Sequence, residues 1–372
     1  MRRVLVIGGG PSGAAVATRL ARAGCGVTLF EREAQPVHKV CGEFISQEAV
    51  QNLGELGLDL RALGAVPIHA LRLFSGERRA QVALPFTALS LSRQILDEHL
   101  LRLAISSGAE VSRGARVRSL QRLGAVNVAE LVDGTRFRAD AVFLATGKHD
   151  LADHRRPLGL QPDLVAFKLH FQLDSVQSKA LQGHVELSLF HGGYAGLQSI
   201  EAGRANLCLV VRRSRLKTSL SAWPALLAAI CAEAPGLAER LEGGVACWDR
   251  PLALAAIPYG HVQRASDGLW RLGDQAAVIP SFSGDGIAIA LHSAERAAFF
   301  YLAGASSQTF QQSLARDLRG QVLLATAISQ CLVRPPGQAL LGAAASLWPG
   351  LMSQVAKHTR LRELRGGALK RA

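Results

Sequence analysis

The chain has 372 residues, enough for two domains or one large domain with an insertion. Its 42 Lys and Arg outnumber 29 Asp and Glu, giving a formal net charge of +13, yet the basic residues are dispersed and only three Tyr and four Trp accompany them. That pattern argues against a nucleic-acid surface and for a solvated basic face that attracts anionic cofactors or membranes; the six scattered cysteines exclude a zinc module or disulfide scaffold, and no apolar stretch reaches the roughly 18 residues of a membrane span.

The first element is the apolar run Val4-Leu5-Val6-Ile7, a buried strand that runs at once into Gly8-Gly9-Gly10-Pro11-Ser12-Gly13. Because it meets glycines and no cleavage site, it is not read as a signal peptide, and the scattered thiols read as reduced in a cytoplasm. The glycines fit G-x-G-x-x-G: Gly8 for a tight turn, Gly10 for close approach of a pyrophosphate, Gly13 for close packing of the next helix. An Ala-rich helix of about 11–23 follows, with Pro11 and Ser12 in its first turn facing the phosphates. Gly24-Cys25-Gly26 stops it, and a second strand, Val27 to Phe30, ends at Glu31. An acid there bonds ribose hydroxyls and repels a 2′-phosphate, so the site suits FAD or NAD and not NADP.

Further along, 71–84 reads as a hairpin and 92–106 as a helix. The stretch 115–132 holds strand patterns, and 141–145 is a buried strand ending at Thr146-Gly147. Segments 165–173, 184–190, 194–200 and 205–211 read as a four-stranded meander. A strand at 269–272 leads into Gly273-Asp274, and the loop from Pro280 to Gly284-Asp285-Gly286 opens the helix 287–302. From 306 onward the pattern is helical, broken at Pro335-Pro336 and at Pro349-Gly350.

The expected fold class is α/β: a split Rossmann-like FAD-binding fold (1–66, 92–165 and 263–330), an inserted antiparallel β-sheet substrate domain (67–91 and 166–262) and a helical carboxyl-terminal segment (331–372). Lys357, Arg360, Arg362, Arg365, Lys370 and Arg371 make that end basic. A helix packed on the flavin fold with a solvated tail is the expectation there, a peripheral membrane contact the alternative.

Three stretches carry a family resemblance: Lys39-Val40-Cys41-Gly42-Glu43, the R-x-x-L-D-x-x-L helix from Arg93, and Gly273-Asp274-x-Ala276 through Pro280-x-x-x-Gly284-x-Gly286-Ile287. In this order they resemble the geranylgeranyl-reductase-like flavoproteins, which belong with the p-hydroxybenzoate-hydroxylase-type enzymes and the flavin-dependent halogenases. The resemblance implies FAD, with Glu31 on the adenosine ribose, Arg93 near the ribityl-pyrophosphate region, Asp274 on a ribityl hydroxyl, and Cys41 and Gly42 beside the isoalloxazine ring. Lys39, Arg32, Val117, Gly147 and Asp285 complete the expected cofactor-facing set. The N-terminus of the helix at Gly286-Ile287 would then stabilise negative charge on the reduced ring.

Cys41 is a candidate proton donor or flavin contact, and His191 and Tyr194 are acid or base candidates beside His170 and Tyr259. No metal ligands are expected, since no histidine falls at ligand spacing with a carboxylate. Two departures bear on the chemistry. The acid with which hydroxylases of this type capture NADPH is replaced by Thr146, although Lys148, His149, Arg155 and Arg156 could attract a phosphate, so NAD(P)H as a transient reductant and an electron-donor protein both stay open. The halogenase tryptophan motif is absent, since Trp223, Trp248, Trp270 and Trp348 are far apart. The resulting reading is an FAD-dependent oxidoreductase that transfers hydride between flavin and a lipophilic or polyketide-like molecule. An aromatic monooxygenase working through a C4a-hydroperoxide and a non-catalytic flavin scaffold are the alternatives.

Overall fold

The computed structural model describes residues 3–124, 126–216, 222–347, 350, 353–354 and 359–360. A five-stranded parallel sheet has the order Trp270–Arg271, Ala141–Leu144, Arg3–Ile7, Gly26–Glu31, Glu110–Arg113. Its central strands are apolar because both faces are covered. Val4 and Val6 point to the helices, into a core with the alanines of Pro11–Arg22 and Gly286–Leu302. Leu5 and Ile7 point the other way, against Val117, Leu120 and Ala129 of a three-stranded antiparallel sheet (Val117–Leu123, Val126–Leu131, Arg136–Ala139). Ala14, Ala15, Ala17, Ala294 and Ala297 are wholly buried, and small side chains let the two helices lie close against each other.

The larger sheet has nine strands. Along its main path lie Val245–Ala246, Leu164–Gln172, Arg204–Arg212, Gly193–Ser199, Gly183–Phe190, Val66–Ser75, Arg78–Ser90 and Phe44–Ile45; Leu252–Ala255 adds to Leu164–Gln172. The expected meander is corrected in its connections. Leu164–Gln172 is followed not by a turn but by the helix Ser175–Leu181, capped by Asp174, so this strand pairs with Arg204–Arg212 instead of its sequence neighbour. Gly183–Phe190 in turn pairs in parallel with Val66–Ser75, which joins the early hairpin to the later strands in one sheet.

One face of this sheet is closed by two helices absent from the sequence reading, Trp223–Glu233 and Pro235–Leu241, through Leu226, Ile230 and Leu237 on Leu169, Leu207 and Leu209. The opposite face, with Leu73, Leu189 and Tyr194, looks toward the parallel-sheet unit and the carboxyl-terminal helices Ser307–Leu332 and Pro335–Leu347. Ser306 caps the first of these by accepting the Thr309 N–H at 3.1 Å, and Pro335 and Pro336 force the break between them. No helix among the described residues is long and apolar enough to cross a membrane. Of the basic tail only Arg360 falls within the described residues; Lys357, Arg362, Arg365, Lys370 and Arg371 lie outside them.

Candidate active site

Two adjoining cavities run between the parallel sheet and the larger sheet. The polar one is lined by the first glycine turn, Glu31, Arg32, Lys39, Val117 and Thr146. Two of the three motif glycines answer to the protein itself. Gly8 has φ +105°, and a Cβ there would stand 2.4 Å from the Ala145 carbonyl oxygen; a Cβ on Gly13 would stand 1.8 Å from that of Gly8. Gly10 is different: a Cβ would meet only an Arg93 Nη at 3.4 Å, so the space beside it is left for something else. The helix Pro11–Arg22 begins at Gly10 without a side-chain cap or an acid in its first turn, and its N–H groups and dipole invite an anion. Glu31 is buried at the end of its strand, where its carboxylate accepts the Gly9 N–H at 2.6 Å and the Glu33 N–H at 3.1 Å.

The apolar cavity opens beyond, and the two share Gly10, Arg93, Ala145, Gly147, Lys148 and Asp274. Gly273 and Asp274 form a 3-10 turn where the edge strand ends, and the Asp274 carboxylate lies 3.9 Å from Lys148. Pro280, Gly284, Gly286 and Ile287 line the same cavity, and the helix Gly286–Leu302 starts there uncapped by any side chain. Gly284, at φ +74°, lets the Phe44 ring pack where a Cβ would be 2.6 Å away. Beside Gly42, Gly147 and Gly286 a Cβ would meet nothing within 4 Å. Asp285 departs from its expected cofactor role. Its carboxylate turns away into a buried cluster, accepting from Gln321 at 3.0 Å and facing Arg360 at 3.4 Å, and burial pushes it up to about 7 despite Arg360 and with Glu48 close by.

The wall between sheet and cofactor cleft is the turn Cys41-Gly42-Glu43. Glu43 is wholly buried at φ +60°, a backbone region unusual for a side-chain-bearing residue. Its carboxylate pairs with the Lys168 ammonium, accepts the Arg93 N–H at 2.7 Å and takes a hydrogen bond from His170 Nε2 at 2.8 Å. Although burial alone would raise it, Lys168 and His170 hold this carboxyl below the ordinary range. The Glu43 carbonyl accepts from Leu91 N–H and the Ser90 hydroxyl, and its own N–H donates to Cys41 Sγ at 3.3 Å. Asn206 Nδ2 donates to the Gly42 carbonyl at 2.8 Å, so the turn is pinned on both sides. His38 stacks on Trp248 and meets the His170 ring edge-on, and burial, then His170 and Lys168, bring it down to about 4.

Cys41 and Tyr194 line the apolar cavity, with Cys208 and Tyr259. Burial pushes both tyrosines up and Cys208 up to about 12, and the Tyr259 hydroxyl is tied to that of Ser281. His191 is not brought to the site. It is exposed at the tip of the hairpin between Gly183–Phe190 and Gly193–Ser199, its peptide group held by Glu233 and Arg215. Lys168 and His38 have no part in the sequence reading, and Glu43 stands there only as the last residue of the Lys39-Val40-Cys41-Gly42-Glu43 stretch, with no role of its own. The signal for Lys168 and His170 is their spacing of two in an otherwise apolar strand, which puts both on the inner face of the sheet. The fold also brings His38, Glu43 and His170 within metal-ligand reach of one another, contrary to the expectation from spacing. Both Glu43 oxygens are already engaged, and the Lys168 ammonium opposes a cation there.

A dinucleotide with a flat ring fits this arrangement: an acid for the ribose, two open helix N-termini, and glycines leaving room over a strip shared by both cavities. Comparison with known proteins agrees. A family model described as "FAD binding domain" matches residues 1–157. The chain is 29% identical over 308 residues to digeranylgeranylglycerophospholipid reductase 1 of Methanopyrus kandleri, covering 77% of each chain. It is 26% identical over 317 residues to menaquinone reductase of Mycobacterium tuberculosis, covering 79% of this chain and 75% of that one. Among solved structures it is similar in fold to the flavin-dependent brominase Bmp2, with TM-score 0.78, 18% identity, and 96% and 93% of the two chains covered.

Proposed function

We propose that this chain, an FAD-dependent oxidoreductase homologous to digeranylgeranylglycerophospholipid and menaquinone reductases, reduces a carbon–carbon or quinoid double bond of an isoprenoid-type lipid. The observation that carries this reading is the apolar cavity that continues from the cofactor cleft. Leu71, Leu73, Val185 and Leu187 of the sheet and Ile328 and Leu332 of the carboxyl-terminal helix line it, and none offers a hydrogen bond to a polar substrate.

Bound FAD, once reduced, supplies the hydride. The rest falls to the chain. The leucine-lined cavity excludes water and seats a hydrocarbon chain against the strip shared with the cofactor cleft. The N-terminus of Gly286–Leu302 faces that strip with its free N–H groups and favours negative charge on the reduced ring. Cys41 borders the reacting region, with the buried Glu43 directly behind it, and these are the groups through which a proton reaches the second carbon.

The test is a single turnover. Anaerobically reduced holoprotein is mixed with geranylgeranyl ether lipid or menaquinone, and flavin absorbance and product mass are followed. Return of oxidised flavin with a product two mass units heavier supports the reading. A product sixteen units heavier, formed only with oxygen, makes the protein a monooxygenase, and reoxidation by none of these lipids overturns the lipid substrate.

A further inference from the structure

Reduction of a double bond in the apolar cavity needs a proton, and most of the protic groups there give one up poorly, since burial pushes Tyr194, Tyr259 and Cys208 up. The turn Cys41-Gly42-Glu43 borders this cavity through Cys41, with the wholly buried Glu43 side chain behind it, whereas His38 borders the polar cleft on the other side of the same turn. One nitrogen of His38, one oxygen of Glu43 and one nitrogen of His170 all lie within 4.8 Å of one another, a gap that a single water bridges with two hydrogen bonds. His170 Nε2 donates to Glu43 Oε2, so in the neutral ring Nδ1 carries the lone pair. The Nδ1 atoms of His38 and His170 are both buried and have no hydrogen-bond partner among the described residues. Neutralising Glu43 would take only Lys168 and the Arg93 N–H; two further histidines with idle nitrogens exceed that need.

We propose that His38 and Glu43 pass protons from the polar cleft to the apolar cavity, with His170 as the positioning residue that holds the Glu43 carboxylate toward His38. This rests on the reductive reading above. A solvent proton adds to His38, crosses one water to a Glu43 carboxylate oxygen, and passes to Cys41 at the cavity wall as the Cys41 thiol gives its own proton to the carbon next to the one that receives hydride. His38 ends neutral and Glu43 ionised, so one proton has crossed and neither group is consumed. Both groups favour their deprotonated forms in this setting, so the pair hands the proton on without storing it.

The test needs no substrate. Full-chain holoprotein is photoreduced anaerobically by a laser flash in weakly buffered solution with a deazaflavin and oxalate as electron source, and a pH-indicator dye reports the proton that the flavin, which borders the same cavity, takes up with the electrons. His38→Ala and His170→Phe are expected to slow uptake by about tenfold or more, and added imidazole to restore His38→Ala toward the wild-type rate. Should His170→Phe fail to retain flavin, His38→Ala with and without imidazole decides alone. Unchanged uptake in His38→Ala, or slow uptake that imidazole does not restore, overturns the relay; so does a stoichiometric metal ion in the wild-type protein that His38→Ala removes. If uptake behaves as expected while no isoprenoid lipid reoxidises the flavin, the substrate reading fails and the relay stands.

Discussion

The Glu43 carboxylate and the Lys168 ammonium form an ion pair in which neither side chain has any exposed surface, and the two residues are 125 positions apart in the chain. The pair ties the cofactor-facing turn to the strand Leu164–Gln172, next to one edge of the larger sheet. Removing one partner leaves a buried charge uncompensated, so Lys168→Met should destabilise the protein by about 3–5 kcal/mol. The double variant Glu43→Gln, Lys168→Met should recover a large part of that. Urea unfolding of the wild type, both single variants and the double variant forms the cycle, and additive effects would show that the pair is not coupled.

The motif glycines separate into structural and ligand-facing positions. Gly13→Ala, with its Cβ 1.8 Å from the Gly8 carbonyl oxygen, should lower thermal stability whether or not flavin is present. Gly10→Ala meets nothing closer than 3.4 Å and should fold normally, yet lose about tenfold or more in FAD affinity, equivalent to about 1.4 kcal/mol. Flavin titration of the apoproteins, with melting curves of both, reads the two effects apart. Equal melting temperatures for Gly13→Ala and wild type would contradict the close packing.

Asp285 gives a stability term of unusual sign. Its folded carboxyl stands at about 7, above the ordinary value of about 4, so between those pH values the native state holds a proton that the unfolded state has released. This contribution is present below about pH 4 and is lost as pH rises toward 7, at most by roughly 1.4 kcal/mol per pH unit. Asp285→Asn lacks it. The stability of the variant relative to wild type should therefore climb from pH 5 to pH 7 and level off above, in urea unfolding at each pH; a difference that stays flat across that range would refute the assignment.

The apolar cavity should tolerate narrowing at its sheet wall without harm to the cofactor. Leu187→Trp is expected to keep full flavin occupancy while turnover of a geranylgeranyl-length substrate falls by roughly tenfold or more, with a shorter prenyl chain affected less. Equal losses for long and short chains would place the hydrocarbon elsewhere.

What the chain reveals before folding depends on how local each feature is. The first strand, glycine turn and helix, and Glu31 at the end of the next strand, fall within about thirty residues and are set by side-chain size and period, so they are legible. The stretch from Lys39 to Glu43 could be singled out, but the role of Glu43 stays hidden until Lys168 and His170 arrive from a distant strand. Asp285 misleads for the converse reason. It stands in the right loop, yet a helical turn decides which way its carboxylate points, and Gln321 and Arg360 lie far along the chain. The strand order of the larger sheet is hidden similarly, since the helix Ser175–Leu181 reroutes a path that alternation alone would draw as a meander.

The parallel sheet places Arg3–Ile7 at its centre and Trp270–Arg271 at its edge, beside Ala141–Leu144. During synthesis the amino-terminal strands leave the ribosome long before the segment that completes their sheet, and the helix Gly286–Leu302 that covers Val4 and Val6 comes later still. Until then an apolar face and an open sheet edge stay uncovered, a state that favours slow folding and capture by chaperones. The geometry that lets one cavity draw on both ends of the chain makes cofactor binding one of the last events of maturation, and FAD supply should then govern the yield of folded protein.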